Sequence, residues 1–404
     1  MALADVELDD GGCLRYAMPL VAGEEMRDAL GGAEFCRTLL SLLATGGTRA
    51  GDHGEIRGVP AAGLLDRWAD GPPADLAVRR IGGEQSNTSV VLGDAFVLKQ
   101  FRRLAEGIHP EAEVPRFLTE RTSFRNTPRL AGHLEYRDAR GAATTLAVVQ
   151  ALVPDAIDGW QWVLTRLREP DGARVTVRAL RRLGERTGEL HRALASDPRD
   201  PAFAPEPITV ADVAGWADAV ATQVTAARAA LRGESVTVNP GIIHAGLAHL
   251  IGRQKTRHHG DFHLGQTLYQ PTIGDWMIID FEGEPLRPLD ERRRKHAVLR
   301  DVAGMLRSID YAAVSASAPM TPLRDWQADA ARAFLEGYRS AAGTAPSLPE
   351  SDEALREVVD VFEIEKAAYE IVYEANNRPD WIAIPKRGLL TAAARLDRKQ
   401  AGAA

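Results

Sequence analysis

His258-His259-Gly260-Asp261-Phe262-His263-Leu264-Gly265-Gln266, followed a little further on by Ile278-Ile279-Asp280-Phe281-Glu282, is the stretch on which the reading of this chain turns. Thr267-Leu268-Tyr269-Gln270 and Trp276-Met277-Ile278-Ile279 are short apolar runs, and residues 271–275 carry the Pro and Gly of a turn. Such a pattern predicts a hairpin. A hairpin here returns Gln266 and Asp280 to one end, which is where two ligands of a single ion must be.

The order H-G-D, four residues, Gln, then D-F-E parallels the H-R-D-x-x-x-x-N catalytic loop and D-F-G of protein kinases. Phosphoryl transfer from ATP needs a carboxylate that takes the acceptor proton and oxygen ligands for magnesium. Asp261 suits the first role because a short carboxylate can be held rigidly at hydrogen-bond reach. The amide oxygen of Gln266 and the carboxylate of Asp280 are the hard donors magnesium prefers. The expectation is that these three side chains converge on one nucleotide-bound cation. Read singly, Asp261 and Asp280 would be turn aspartates; the two motifs and a hairpin together are hard to obtain by chance. His259 reads as a brace of the loop, and His263 is left open between loop residue and functional group.

Composition limits the alternatives. The chain has 404 residues, 45% of them hydrophobic, and a net charge of −7. That size allows two or three domains or one large two-lobed unit. The acidic balance and the lack of a long basic run disfavour nucleic acid or an anionic membrane as partner. Arg292-Arg293-Arg294-Lys295 is a short exception and reads as a solvated helix start or an ion-pairing patch. Cys13 and Cys36 form neither a metal spacing nor a disulfide framework. There is no signal-peptide pattern and no apolar run of membrane-spanning length, so the expected location is cytoplasmic.

Along the chain, residues 1–75 read as a mixed N-terminal cap, with strands at 6–8 and 14–20, a helix at 34–43 and a glycine-rich loop at 46–58. Residues 76–153 read as a small β-rich lobe with strands at 77–81, 89–92, 95–101 and 146–152 and a helix at 111–120. Residues 154–404 carry helical spacing at 175–196, 210–232, 242–255, 299–313, 325–342 and 352–375, with a last helix from 391. The fold class expected is α+β, two-lobed and protein-kinase-like.

Lys99 ends the apolar strand Ala95-Phe96-Val97-Leu98 and can reach nucleotide phosphates as a point charge. Glu113 on the next helix could orient it by an ion pair, with Glu111 and Glu106 as rivals. Gly82-Gly83-Glu84-Gln85-Ser86-Asn87-Thr88-Ser89 falls short of G-x-G-x-x-G, but its position before Lys99 suits a loop whose amides and hydroxyls bond phosphate. A polar hairpin loop is the plainer reading.

GGEQSNTSVV, Lys99 with FRRL, EVPRFLTE, LAGHLEYR, HGDFHLGQ, IIDFEGEP, ERRRKH, LRDVAGMLRSIDYAA and YEANNRPDWIAIP together resemble the maltokinase-like branch of the aminoglycoside-phosphotransferase-type kinases, over most of the chain. The resemblance implies a small lobe with an N-terminal cap, a hinge and a larger helical lobe. It implies ATP and Mg2+ as cofactors, Asp261 as base, and Gln266 and Asp280 as magnesium ligands with help from Glu282. Lys99 and the loop with Ser86 and Asn87 would contact phosphates, and backbone from Gln150 to Val153 would meet adenine. Asp301, Glu370, Glu374 and Trp381 would line the acceptor pocket.

Maltokinases of this branch generally carry a Q-R-W-F-like segment in the cap, which this chain lacks. Shorter members include kinases of glucosamine, a cation that an acidic pocket would suit. The function expected is therefore ATP-dependent phosphorylation of a small sugar, glucosamine at O6 first. Maltose at its anomeric hydroxyl is the nearest alternative, then an aminoglycoside, and a catalytically silent ATP-binding pseudokinase is the alternative of another class.

Overall fold

The computed structural model describes residues 1–9, 11–21, 26–61, 63, 65–68, 71–82, 87–231, 236–284, 287–316 and 324–403. They form two compact units, Met1–Pro154 with Asp280–Arg293, and Asp155–Ile279 with Arg294–Ala404. The sequence cuts differ in two respects. Cap and small lobe form one unit, and Asp280–Arg293 joins that unit rather than the helical one.

The first unit is built on an antiparallel seven-stranded sheet, ordered Thr48–Gly51, Gly54–Pro60, Leu130–Asp138, Ala143–Ala151, Phe96–Phe101, Asn87–Leu92, Val78–Arg80. The glycine-rich stretch at 46–58, expected as a loop, is mostly its first hairpin, whose polar residues sit on an exposed edge. Ala2–Glu7, Cys13–Met18 and Arg103–Leu104 make a separate three-stranded sheet.

Side chains on a strand alternate between faces. Phe96 and Leu98 are buried in the apolar cluster with Leu40, Leu43, Val90 and Leu130, which leaves Val97 and Lys99 on the opposite face. That parity frees Lys99 for chemistry. The helix Pro110–Arg121 starts with proline at its first position, where no N–H is needed, and His109 caps it by accepting the Glu111 N–H at 3.2 Å.

The second unit is mainly helical: Gly172–Leu194, Val210–Ala230, Pro240–Ala248, Leu299–Ala316, Arg324–Ala342, Asp352–Asn377 and Ala383–Ala403 are its longer helices. Residues 242–255 are not one helix; it stops at Ala248 and the chain re-emerges as the strand Gln254–Lys255. The expected hairpin is present, Thr267–Gln270 pairing with Asp275–Ile278. Helices Gly172–Leu194 and Arg324–Ala342 approach at Gly184 and Gly337. A Cβ on either would fall 2.0 Å from a carbonyl oxygen of the other helix, so glycine is what permits the contact.

Among the described residues no helix is long and apolar enough to cross a membrane.

Candidate active site

The first unit holds a lysine among carboxylates. Lys99 Nζ lies 2.6 Å from Asp280 Oδ1 and 2.5 Å from Glu282 Oε1. Asn87 donates to Glu282 Oε1 at 2.7 Å. Asp280 adopts a left-handed backbone, φ 67°, a conformation uncommon for a residue with a side chain and frequent where function fixes geometry. Glu111 accepts the backbone N–H of Phe281 through one oxygen and the Gln150 amide at 3.0 Å through the other.

The charges interlock. Burial works against the Lys99 ammonium, but Asp280, Glu282 and Glu111 outweigh it and raise its pKa. Burial pushes the Glu111 carboxyl up to about 8, with Lys99 opposing and Asp280 and Glu282 adding to the rise. Burial raises Glu282 as well, again against Lys99. Three acids thus share one lysine, and burial favours the neutral form of Glu111 while Lys99 favours its charge.

Glu113, expected beside Lys99, is turned elsewhere: Arg293 grips it at 2.6 and 3.0 Å. The buried acid facing the lysine is Glu111, two residues earlier, so the rival was the better choice. Gln150 is also placed differently from the expectation. Its strand has neighbours on both sides, with Leu130 and Val97 as register partners, and its side chain steadies Glu111. Val153 lies just past that strand. Ser86 lies outside the described residues.

The second unit holds the loop with Asp261. Lys366 donates to Asp261 Oδ1 at 3.0 Å, and His263 Nε2 lies 4.0 Å from Oδ2. His263 Nδ1 accepts the Gly265 N–H at 3.1 Å, so the proton of a neutral ring is on Nε2, toward the carboxylate. His259 is a brace: its Nε2 bonds the Ile279 carbonyl at 2.9 Å and so ties the loop to the chain beyond the hairpin. The Gln266 side chain has no hydrogen-bond partner among the described residues.

Asp301 does not line an acceptor pocket. It is buried, accepts the backbone N–H groups of His259 at 2.7 Å and Gly260 at 2.9 Å, and meets His191 Nε2 at 3.0 Å. Burial opposes its charge, yet His258, His191 and His259 hold its pKa well below the usual carboxylate range. Its place is under the loop, fixing where Asp261 sits.

Glu370 and Glu374 are paired rather than free. Arg307 holds Glu370 at 3.0 Å, and Glu374 takes Arg378 at 2.7 and 2.9 Å and the Tyr311 hydroxyl at 3.1 Å. Trp381 stacks beside Tyr311, ring centroids 6.1 Å apart, under the Arg378 guanidinium at 4.8 Å. Of the basic run, Arg293 pairs with Glu113 and Lys295 with Glu206, which makes it an ion-pairing patch.

Sequence reading missed Lys366 and Arg307. Both belong to helices whose charged residues carry no local mark of the partner that folding brings to them.

A β-sheet unit with a lysine–carboxylate cluster, and a helical unit presenting a braced aspartate loop, define a kinase-like phosphotransferase. The model of the phosphotransferase enzyme family (APH) matches residues 77–283. A glucosamine kinase of Streptacidiphilus jiangxiensis is 30% identical, the match covering 93% of this chain and 85% of the relative. One from Mycolicibacterium smegmatis (strain ATCC 700084 / mc(2)155) is also 30% identical, over 77% of this chain and 78% of the relative. The solved structure of a glucosamine kinase in complex with glucosamine, ADP and inorganic phosphate superimposes with a TM-score of 0.70 at 26% identity, covering 96% of this chain and 90% of that one. The chain belongs to the phosphotransferase enzyme family, and its fold is the kinase-like one expected from its motifs.

Proposed function

We propose that this chain is an ATP-dependent glucosamine kinase that forms glucosamine 6-phosphate and ADP. The observation that carries the reading is the likeness, across nearly the whole chain, to a structure solved with glucosamine and ADP bound. The cytoplasm, where ATP is abundant, is its expected place of action.

The chemistry follows from the side chains. Asp261 accepts the proton of the sugar hydroxyl as that oxygen forms its bond to the γ-phosphorus. The bond from the γ-phosphorus to the β,γ-bridging oxygen breaks, and ADP leaves with the electron pair. Lys99, with Glu111 and Asn87 setting the array around it, places positive charge on the nucleotide phosphates. Backbone at Val153 meets adenine.

Magnesium fits the residues present. Among the described residues no group of three or more His, Cys, Asp and Glu forms a metal cage. Magnesium, however, usually binds one or two carboxylates and completes its shell with phosphates and water. Asp280 and Glu282, side by side at Lys99, are such donors, and the Gln266 amide oxygen is the further ligand we propose. Bound there, the ion would neutralise charge on the β- and γ-phosphates.

The sugar amine calls for an acid that can change partners. Arg307 is only 1% exposed and its bond to Glu370 is a fixture of the interior, whereas Arg378 is 48% exposed. Glu374 is itself 2% exposed, so it would meet the substrate ammonium only by giving up the exposed Arg378, and Trp381 offers a ring to stack on the sugar. Replacing Asp261 with Asn tests the assignment: turnover should vanish while nucleotide still binds, and near-normal activity would refute it.

A further inference from the structure

The ion pair between Lys366 and Asp261 has no counterpart in the chemistry described so far. The lysine is on the helix Asp352–Asn377 and the aspartate on a loop 105 residues earlier, so only the fold brings them together. Their contact is 3.0 Å and both side chains are about four-fifths covered, 21% and 20% exposed. The ammonium is restrained in turn by the Tyr369 ring, whose centroid is 5.0 Å away. It bonds Oδ1 of the carboxylate, while Oδ2 faces the Nε2–H of His263 across 4.0 Å. One oxygen of the carboxylate is tied down and the other is left for an acceptor.

We propose that Lys366 is the positioning residue of the base Asp261. The proposal rests on the reading of this chain as a sugar kinase. A base held through one oxygen loses the rotation that would spoil its alignment with the acceptor hydroxyl, and misplacement of reacting groups is costly in rate.

Three variants decide it: Lys366→Met, Lys366→Arg and Lys366→Ala, each assayed with the sugar that the wild type turns over fastest among glucosamine, glucose and maltose. Lys366→Met should lower kcat about 100-fold, with KM for ATP within about twofold, the scale expected when a base is misaligned rather than lost. Lys366→Arg should recover part of that loss, and millimolar ethylammonium should raise the rate of Lys366→Ala several-fold, which no purely structural role would produce. The proposal is overturned by near-wild-type kcat in Lys366→Met, or by failure of both arginine and ethylammonium to restore rate. If Lys366→Met does not fold, the arginine variant and the ethylammonium response decide alone. A preference for maltose would remove the substrate reading and leave this test standing; no turnover of any sugar would remove both.

Discussion

Asp301 Oδ1 accepts the backbone N–H of Gly260 at 2.9 Å, so a helix residue holds the loop that carries Asp261, the proposed base. Its other oxygen takes the His259 N–H and His191. Asp301→Asn must turn an NH2 toward one of these donors, leaving buried groups unpaired. We expect a loss of about 3 kcal/mol in unfolding free energy, the scale for breaking a buried charged network, and a kcat drop that exceeds any change in KM for ATP. Denaturant unfolding and steady-state kinetics check this; unchanged kcat would show that the loop does not depend on it.

The two glutamates of the helix Pro110–Arg121 make an internal control. Glu111 is buried against Phe281 N–H and Gln150, whereas Glu113 pairs with Arg293. Glu111→Ala should raise KM for ATP or lower kcat by about tenfold or more, because a buried partner is deleted, while Glu113→Ala should cost about 1 kcal/mol of stability or less and leave kinetics nearly intact. Equal effects would contradict the assignment.

His258 gives a pH prediction with a definite sign. Both ring nitrogens are buried without hydrogen-bond partners among the described residues. Burial, opposed by Asp301 and helped by Arg300, His191 and Arg257, lowers its pKa from 6.5 to about 4. Between these values the unfolded chain binds the proton and the native one does not, so stability rises with pH across that window. It is fully present above pH about 6.5 and falls on acidification toward about 4, by up to about 3 kcal/mol. His258→Phe should flatten that part of the stability–pH curve; an unchanged slope would assign the acid sensitivity to other groups.

Much of this was legible beforehand, and the reasons are local. The hairpin after Gln266 follows from two apolar runs around a Pro/Gly turn, and the face of Lys99 follows from strand parity. What escaped depended on docking. Glu111 and Glu113 both lie in the first turn of one helix, and nothing in that turn says which will be buried. The pattern of Leu299–Ala316 marks Asp301 as a helix residue but not as the acceptor of loop N–H groups. The strand Leu130–Asp138 has no counterpart in the sequence reading, and the stretch 46–58 reads as loop because an exposed edge lacks apolar alternation. Lys366 is one charge on a helix rich in them.

The magnesium ligands proposed above predict metal dependence. Chelation by excess EDTA should abolish transfer and Mg2+ should restore it. Gln266→Leu should raise the Mg2+ concentration needed for half-maximal rate, by about tenfold, through loss of one oxygen ligand. Full activity in EDTA would contradict this.

The most direct test is the ratio of kcat/KM for glucosamine to that for maltose, measured on the purified chain with saturating ATP and Mg2+. The proposed function predicts a ratio well above one, about 100 or more, because a site that pairs the substrate ammonium discriminates strongly against a sugar lacking it. A ratio below one, or no ADP release with glucosamine, would contradict it.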